Sequence, residues 1–248
     1  MIGNNIIELE ETFSTNRYAL ELLSNSRISE GTVISVVNQT SGRGSYGNFW
    51  ESEKGKNLTV SIILYPTFLS FEKQFMLNKV TSLSVYDMLV QINSGQEAVM
   101  IKWPNDIYTD NKKFSGILIE NTIIGSTFKH SIIGIGININ QEIFVSDAPN
   151  PTSLKISTGK TYNLKECLSI LCSCFNRRYT QLKNFEFKTL DEDYLSALYR
   201  MNKSALFIFQ KQLITAMIKG VAESGKLLIE KLNGEMIECD FKEVEFVI

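Results

Sequence analysis

Residues Ser41 to Ser52 read SGRGSYGNFWES and contain G-x-G-x-x-G at Gly42, Gly44 and Gly47. Such spacing can belong to a dinucleotide-binding fold, a kinase lid or an ordinary glycine loop. A dinucleotide fold needs a helix to begin within the glycines, so that the pyrophosphate meets the helix N-terminus. Here the glycines are followed by NFWESEKGKN, which is polar, carries another glycine and shows no helical apolar period. A kinase lid would require V-A-I-K, H-R-D and D-F-G segments, and a phosphate loop G-x-x-x-x-G-K-[ST]; the chain contains none of these. Two readings stay open, a surface turn and a loop that grips an anion. For the second, glycines let backbone N–H groups approach an anion closely, Arg43 adds a two-pronged cation and Trp50 an aromatic face.

The bulk composition narrows the choices. The chain has 248 residues, enough for one large domain with a small appendage, and is 44% hydrophobic and 21% charged. A net charge of −2 gives no global attraction to nucleic acid or acidic membranes, so any anion site must be local. The apolar run LTVSIIL is far shorter than the ~20 residues that span a bilayer. The N-terminus lacks a basic start and carries three Glu, unlike a signal peptide. Cys167, Cys172, Cys174 and Cys239 form no C-x-x-C pair and read as buried reduced thiols, which predicts a cytoplasmic protein. His130 is the only histidine, so a His-based triad or zinc site has nothing to recruit.

Patterning predicts an α+β chain. Strand-like runs are IIELEE, TVISVVN and NLTVSIILY; AVMIKWPNDIY reads as a strand broken at Pro104. KFSGILIENT and SIIGIGININ read as paired buried strands. Helical spacing covers the segment after Ser14, Phe71 to Ile92, about Leu164 to Leu182, and about Leu190 to Tyr199. After Met201 the character changes to short strands with turns at AESG and NGE, which predicts a small β-barrel over 201–248 behind a domain spanning 1–200.

Three further segments combine small residues with polar groups at strand ends: KWPNDIY from Lys102, KFSGILIE from Lys113 and GIGININ from Gly134. Taken singly, each has an ordinary reading, as a close-packed strand or solvated lysines. Together with STN at Ser14 and QTSGRGSYGNFW at Gln39, in this order, they resemble biotin–protein ligases across nearly the whole chain. The resemblance implies a class II aminoacyl-tRNA-synthetase-like mixed sheet with packed helices and a C-terminal SH3-like barrel. Some members add an N-terminal DNA-binding domain; only 13 residues precede Ser14, so no DNA role is expected. Oligomeric state is left open between monomer and homodimer.

The resemblance also implies chemistry. Biotin's carboxylate attacks the α-phosphorus of ATP, and a lysine of a biotin carboxyl carrier domain then takes the biotinyl group. Ser14, Thr15 and Gln39 would hydrogen-bond biotin's ureido ring, although Ser14 could equally cap the first helix. Gly42, Arg43 and Gly44 would close over the carboxylate and phosphate, and Gly116 would let the biotin tail lie against its strand. Trp50 would pack on the adenosine, Asn105 and Asn138 would contact the nucleotide, and Lys113 would be the main catalytic cation. Lys102 and Asp106 would organise the phosphates and Mg²⁺, with Asp106 alternatively a turn residue. Two departures stand out. Ser45 occupies a position that is often basic, which puts adenylate retention in doubt, and the final EVEFVI supplies no barrel arginine. Lipoate ligation and non-catalytic biotin binding are the alternatives.

Overall fold

A computed structural model describes residues 1–44, 47–93, 98–146 and 149–248. A seven-stranded mixed sheet runs in the order β1-β2-β3-β7-β6-β5-β4. Its strands are β1 (Ile6–Thr12), β2 (Val33–Gln39), β3 (Leu58–Leu64), β4 (Val99–Lys102), β5 (Asp106–Thr109), β6 (Lys112–Ile124) and β7 (Thr127–Ile137). Among these described strands β1 and β2 pair in parallel, and the other neighbours pair antiparallel. The central strand β3 is buried along its full length, as its unbroken apolar run requires.

The two faces of this sheet are covered unequally. On one face lie α2 (Phe75–Asn93), α4 (Leu164–Lys183) and α5 (Phe187–Ser196), which enclose the main apolar core. Helix α2 is buried on nearly every side, so it shows little amphipathic contrast. Among the described residues the helix on the opposite face is α1 (Thr15–Asn25), whose Ala19 packs on Ile34, Ile63 and Ile132. Beyond the end of α1 this face needs small residues or another cover.

The remaining strands are β8 (Ser204–Phe209), β9 (Gln212–Val221), β10 (Leu227–Lys231), β11 (Met236–Cys239) and β12 (Val244–Phe246). They form an antiparallel five-stranded sheet in the order β11-β10-β9-β8-β12. Its Ile218, Leu227 and Ile229 share one apolar cluster with the helices of the larger part. The AVMIKWPNDIY segment is a hairpin of β4 and β5, turning at a cis Trp103–Pro104 bond, where the sequence suggested one broken strand. Trp103 anchors that turn to the second sheet: its Nε1 donates to the Gly225 carbonyl at 2.8 Å and its ring stacks on Phe241. A short helix not expected from the sequence, α3 (Leu154–Thr158), is capped by Ser153. All four cysteines are buried and unpaired.

Candidate active site

The incompletely covered sheet face contains one row of cross-strand neighbours. Thr59 of β3 pairs with Gly136 of β7, Gly136 with Gly116 of β6, Gly116 with Asp106 of β5, and Asp106 with Lys102 of β4. Directly opposed residues point to the same face. The row therefore reads polar, bare, bare, anion, cation, and the two glycines make a trench between polar ends. Trp50 lies in that trench: a Cβ on Gly136 would sit 2.3 Å from the indole Cε2, and one on Gly116 would sit 3.0 Å from its Cζ3. Only glycine permits this approach. A cavity of about 200 Å³ follows the trench.

One end of the cavity is a hydrogen-bonding cluster, lined by Thr15 and Gln39 and backed by Asn16, Ser61 and the Glu120 carboxylate. Gln39 accepts the Thr15 amide at 2.9 Å. Ser61 Oγ lies 2.7 Å from Thr15 Oγ1 and donates to Asn16 Oδ1 at 2.6 Å. Asn16 Nδ2 donates to Glu120 Oε2 at 2.8 Å. Gly134 stands where a Cβ would meet Asn16 Oδ1 at 2.5 Å.

The other end is ionic. Lys113 Nζ is 2.8 Å from Asp106 Oδ1 and 5.8 Å from the centre of the Trp50 ring. Arg43 is 3.3 Å from Glu120, the carboxylate that also receives Asn16, so this second cation stands beside the first end's cluster. Each of these cations has a carboxylate partner, so an arriving anion would exchange with a carboxylate. Lys102 lies over the rings of Tyr108 and Phe246. Burial pushes its pKa below the usual lysine range; Asp106 partly restores it, and Lys113 and Arg200 press it down further. Lys102 lines a second cavity of about 630 Å³, which shares Asn48 and Pro104 with the first.

The structure brings Thr15, Gln39, Arg43, Gly44, Trp50, Asn105, Asp106, Lys113 and Gly116 together around the first cavity. Ser14, Gly42 and Asn138 do not line it. Ser14 is the buried residue before α1, and its side chain makes no capping hydrogen bond; the carbonyl accepts from Tyr18 instead. Gly42 lies behind the loop, where its carbonyl takes the Trp50 amide and a Cβ would strike the Trp50 carbonyl. Asn138 is buried and donates to the Thr152 carbonyl at 3.0 Å, bracing the chain beside Lys113. Ser45 lies outside the described residues. Asn16, Ser61 and Glu120 were missed. Their signals are the third residue of STN and the period-two series Gly116, Leu118, Glu120 on one strand face.

A sequence profile of the biotin/lipoate A/B protein ligase family matches residues 9–138, more than half of the chain. The chain belongs to this family. The biotin protein ligase of Aquifex aeolicus, solved in complex with biotin and ATP, superposes with a TM-score of 0.81 at 30% identity, covering 98% of this chain and 99% of that one. The biotin–[acetyl-CoA-carboxylase] ligase of Paracoccus denitrificans is 26% identical over 92% of this chain and 95% of its own length. The bifunctional ligase/repressor BirA of Bacillus subtilis is 32% identical over 78% of this chain, and the match spans 60% of its own length. The family fold accounts for the mixed sheet with its helices, and the C-terminal antiparallel sheet is consistent with an SH3-like barrel.

Proposed function

We propose that the chain is a biotin–protein ligase acting in the cytoplasm, and that residues 1–200 carry the chemistry while 201–248 form a barrel that backs the Trp103 turn. The observation that carries this reading is the row Thr59–Gly136–Gly116–Asp106–Lys102, which runs from a neutral polar end to a cationic one beneath Trp50. Biotin has the same order: a ureido ring with donors and acceptors, an aliphatic tail and a carboxylate. A dithiolane ring, as in lipoate, would leave the cluster of Thr15, Asn16, Gln39 and Ser61 without ring hydrogen bonds.

In the first step a carboxylate oxygen of biotin attacks the α-phosphorus of ATP, and pyrophosphate leaves. In the second step a lysine amine of a biotin carboxyl carrier domain attacks the anhydride carbonyl, AMP leaves with the bridging oxygen, and the amine loses a proton. Neither step needs an enzyme nucleophile. The chain's task is to hold two anions in line and to neutralise charge as it develops. Lys113 and Arg43 exchange Asp106 and Glu120 for carboxylate and phosphate oxygens, and Gly44 closes the loop over them. Trp50 turns off the glycine floor to admit the tail and then covers the nucleotide. Ser14 and Gly42 support the pocket from behind, and Asn138 supports Lys113. Asn105 and Lys102 face the phosphates.

Magnesium fits this donor set as an ion carried by ATP. Among the described residues no three His, Cys, Asp or Glu gather to hold a metal, and Asp106 is the single carboxylate lining the cavity. Asp106, freed from Lys113, would add one ligand to those of the phosphates, and the ion would supply charge neutralisation. The test is pyrophosphate release with Mg-ATP and either biotin or lipoate. Release that requires biotin and ignores lipoate is expected. Release with lipoate alone, or none with either, would sink the proposal.

A further inference from the structure

Glu51, directly after Trp50, has a role that the adenylation reading does not require. Its carboxylate gathers donors from a segment far away in sequence. Oε1 accepts from Gln141 Nε2 at 3.1 Å and from the Val145 amide at 2.9 Å, and Oε2 accepts from the Ser146 amide at 2.8 Å. Among the described residues no Lys or Arg pairs with it. A carboxylate directed at neutral amides makes strong, charge-assisted bonds to each of them.

The start of the captured segment is held by buried Gln141, which takes the Asn57 side-chain amide, and by Glu142, which pairs with Lys155 at 2.7 Å; at Val145 and Ser146 Glu51 is the anchor. Residues 141–146 have no regular secondary structure, and Ile143 and Val145 are 73% and 84% exposed. At its start the segment is zipped to the strand entry after Glu51: Gln141 Oε1 accepts the Glu53 amide at 3.0 Å, and the Asn140 amide donates to the Lys56 carbonyl at 2.8 Å. At its far end the Asn150 carbonyl accepts the Lys113 amide at 2.7 Å, and the Thr152 amide donates to the Lys113 carbonyl at 3.0 Å. The described residues on either side of 147–148 thus form the two ends of a strap, one held by Glu51 at Val145 and Ser146 and the other by Lys113 at Asn150 and Thr152. Pro149 and Asn150 of the strap line the second cavity together with Lys102.

We propose that Glu51 is a positioning residue that latches this strap to the Trp50 segment, so that the indole and Lys113 are set relative to each other and the nucleotide side of the site is walled. The latch rests on the reading of the site as an ATP-dependent biotin ligase only for its kinetic consequence. The polar end of the first cavity is lined by Thr15 and Gln39 and backed by Asn16 and Ser61, none of which is among the strap's hydrogen-bond partners named above. The effect should therefore fall on ATP and spare biotin.

The test uses the full chain with Glu51→Gln, in which an amide would turn N–H donors toward the amides of Val145 and Ser146. Hydrogen exchange is measured first, without ligands. Exchange across 141–146 should accelerate by about tenfold or more, while β3 stays protected. Steady-state pyrophosphate release is measured second. KM for ATP should rise about tenfold and KM for biotin should stay within about twofold. Unchanged exchange across 141–146 would overturn the latch. Faster exchange with equal rises in both KM values would overturn its positioning role and leave a merely structural contact. The exchange readout needs no turnover, so it decides the latch even where wild-type protein releases no pyrophosphate, a result that would fall on the functional reading instead.

Discussion

Two lysine–aspartate pairs in this molecule are built from the same atoms and differ in everything around them. Lys79 of α2 reaches Asp191 of α5 at 2.6 Å, with its own side chain 5% exposed and the rings of Phe75 and Tyr194 beside it. Lys113 reaches Asp106 at 2.8 Å with its side chain 25% exposed, at the wall of a cavity and under an indole. The first joins two helices. The second sits where a ligand's anion can replace the aspartate. Context, not the pair, separates a staple from a working group.

The sharpest way to break that contrast is to remove each lysine. Lys113→Ala should lower biotin-dependent pyrophosphate release by on the order of 10²–10³, the usual loss when a charge-stabilising donor is deleted, with the unfolding midpoint nearly unchanged. Lys79→Met should do the reverse. It should destabilise by about 1–2 kcal/mol, because Asp191 stays partly solvated when left alone, and kcat/KM should hold. Urea titrations and pyrophosphate assays on both variants check this. Turnover falling as far in the Lys79 variant would erase the distinction.

A smaller effect separates two kinds of glycine. At Gly136 a Cβ would lie 2.3 Å from Trp50 Cε2, so Gly136→Ala must push the indole off the floor and crowd the trench. We expect kcat/KM for biotin to drop about ten- to a hundredfold, as misplacement near reacting groups does. At Gly234, with φ of 84°, nothing lies within 4 Å. Gly234→Ala should cost about 1 kcal/mol of stability through backbone strain in the hairpin turn and leave kinetics alone. Parallel kinetic losses in both variants would show that the trench has no special sensitivity.

The same contrast explains what was legible beforehand. Strands β3, β6 and β7 announced themselves as β-branched runs, and the Asn233-Gly234 turn marked its hairpin, because local sterics and burial dictate both. The glycines of the floor, Arg43 and Lys113 were legible as motifs. Their partners were not. Glu120 meets Asn16 across 104 positions and Ser61 meets it across 45, and Glu51 reaches Val145 across 94. Such pairings depend on strand order, which periodicity does not encode. For the same reason the motifs could not show that Asn138 and Gly42, ligand contacts by the resemblance, do not line the first cavity. Helix α3 is five residues long, too short for a periodic signal.

The smallest effect concerns acid and the structural half of the molecule. Glu30 accepts from the hydroxyl of Tyr179 at 2.8 Å, from Lys183 at 2.7 Å and from the Tyr65 amide at 3.0 Å. Burial alone would raise its pKa, but these bonds from Lys183, Tyr179 and Tyr65 outweigh it and hold the carboxyl below its ordinary 4.5. A depressed folded pKa means that the unfolded chain binds the proton more readily. The contribution of Glu30 is therefore fully present above the unfolded value and is lost as pH falls through the folded one. Unfolding midpoints of wild type and Glu30→Gln, followed from pH 7 to about 3, should differ by a constant amount until about pH 5 and then converge. A gap that stays constant to the lowest pH would mean that the charge on Glu30 does nothing the neutral amide cannot do. A pH-dependent change in the ATP or biotin KM of this variant, with stability unaltered, would couple Glu30 to the cavity and undo the separation of staple from site.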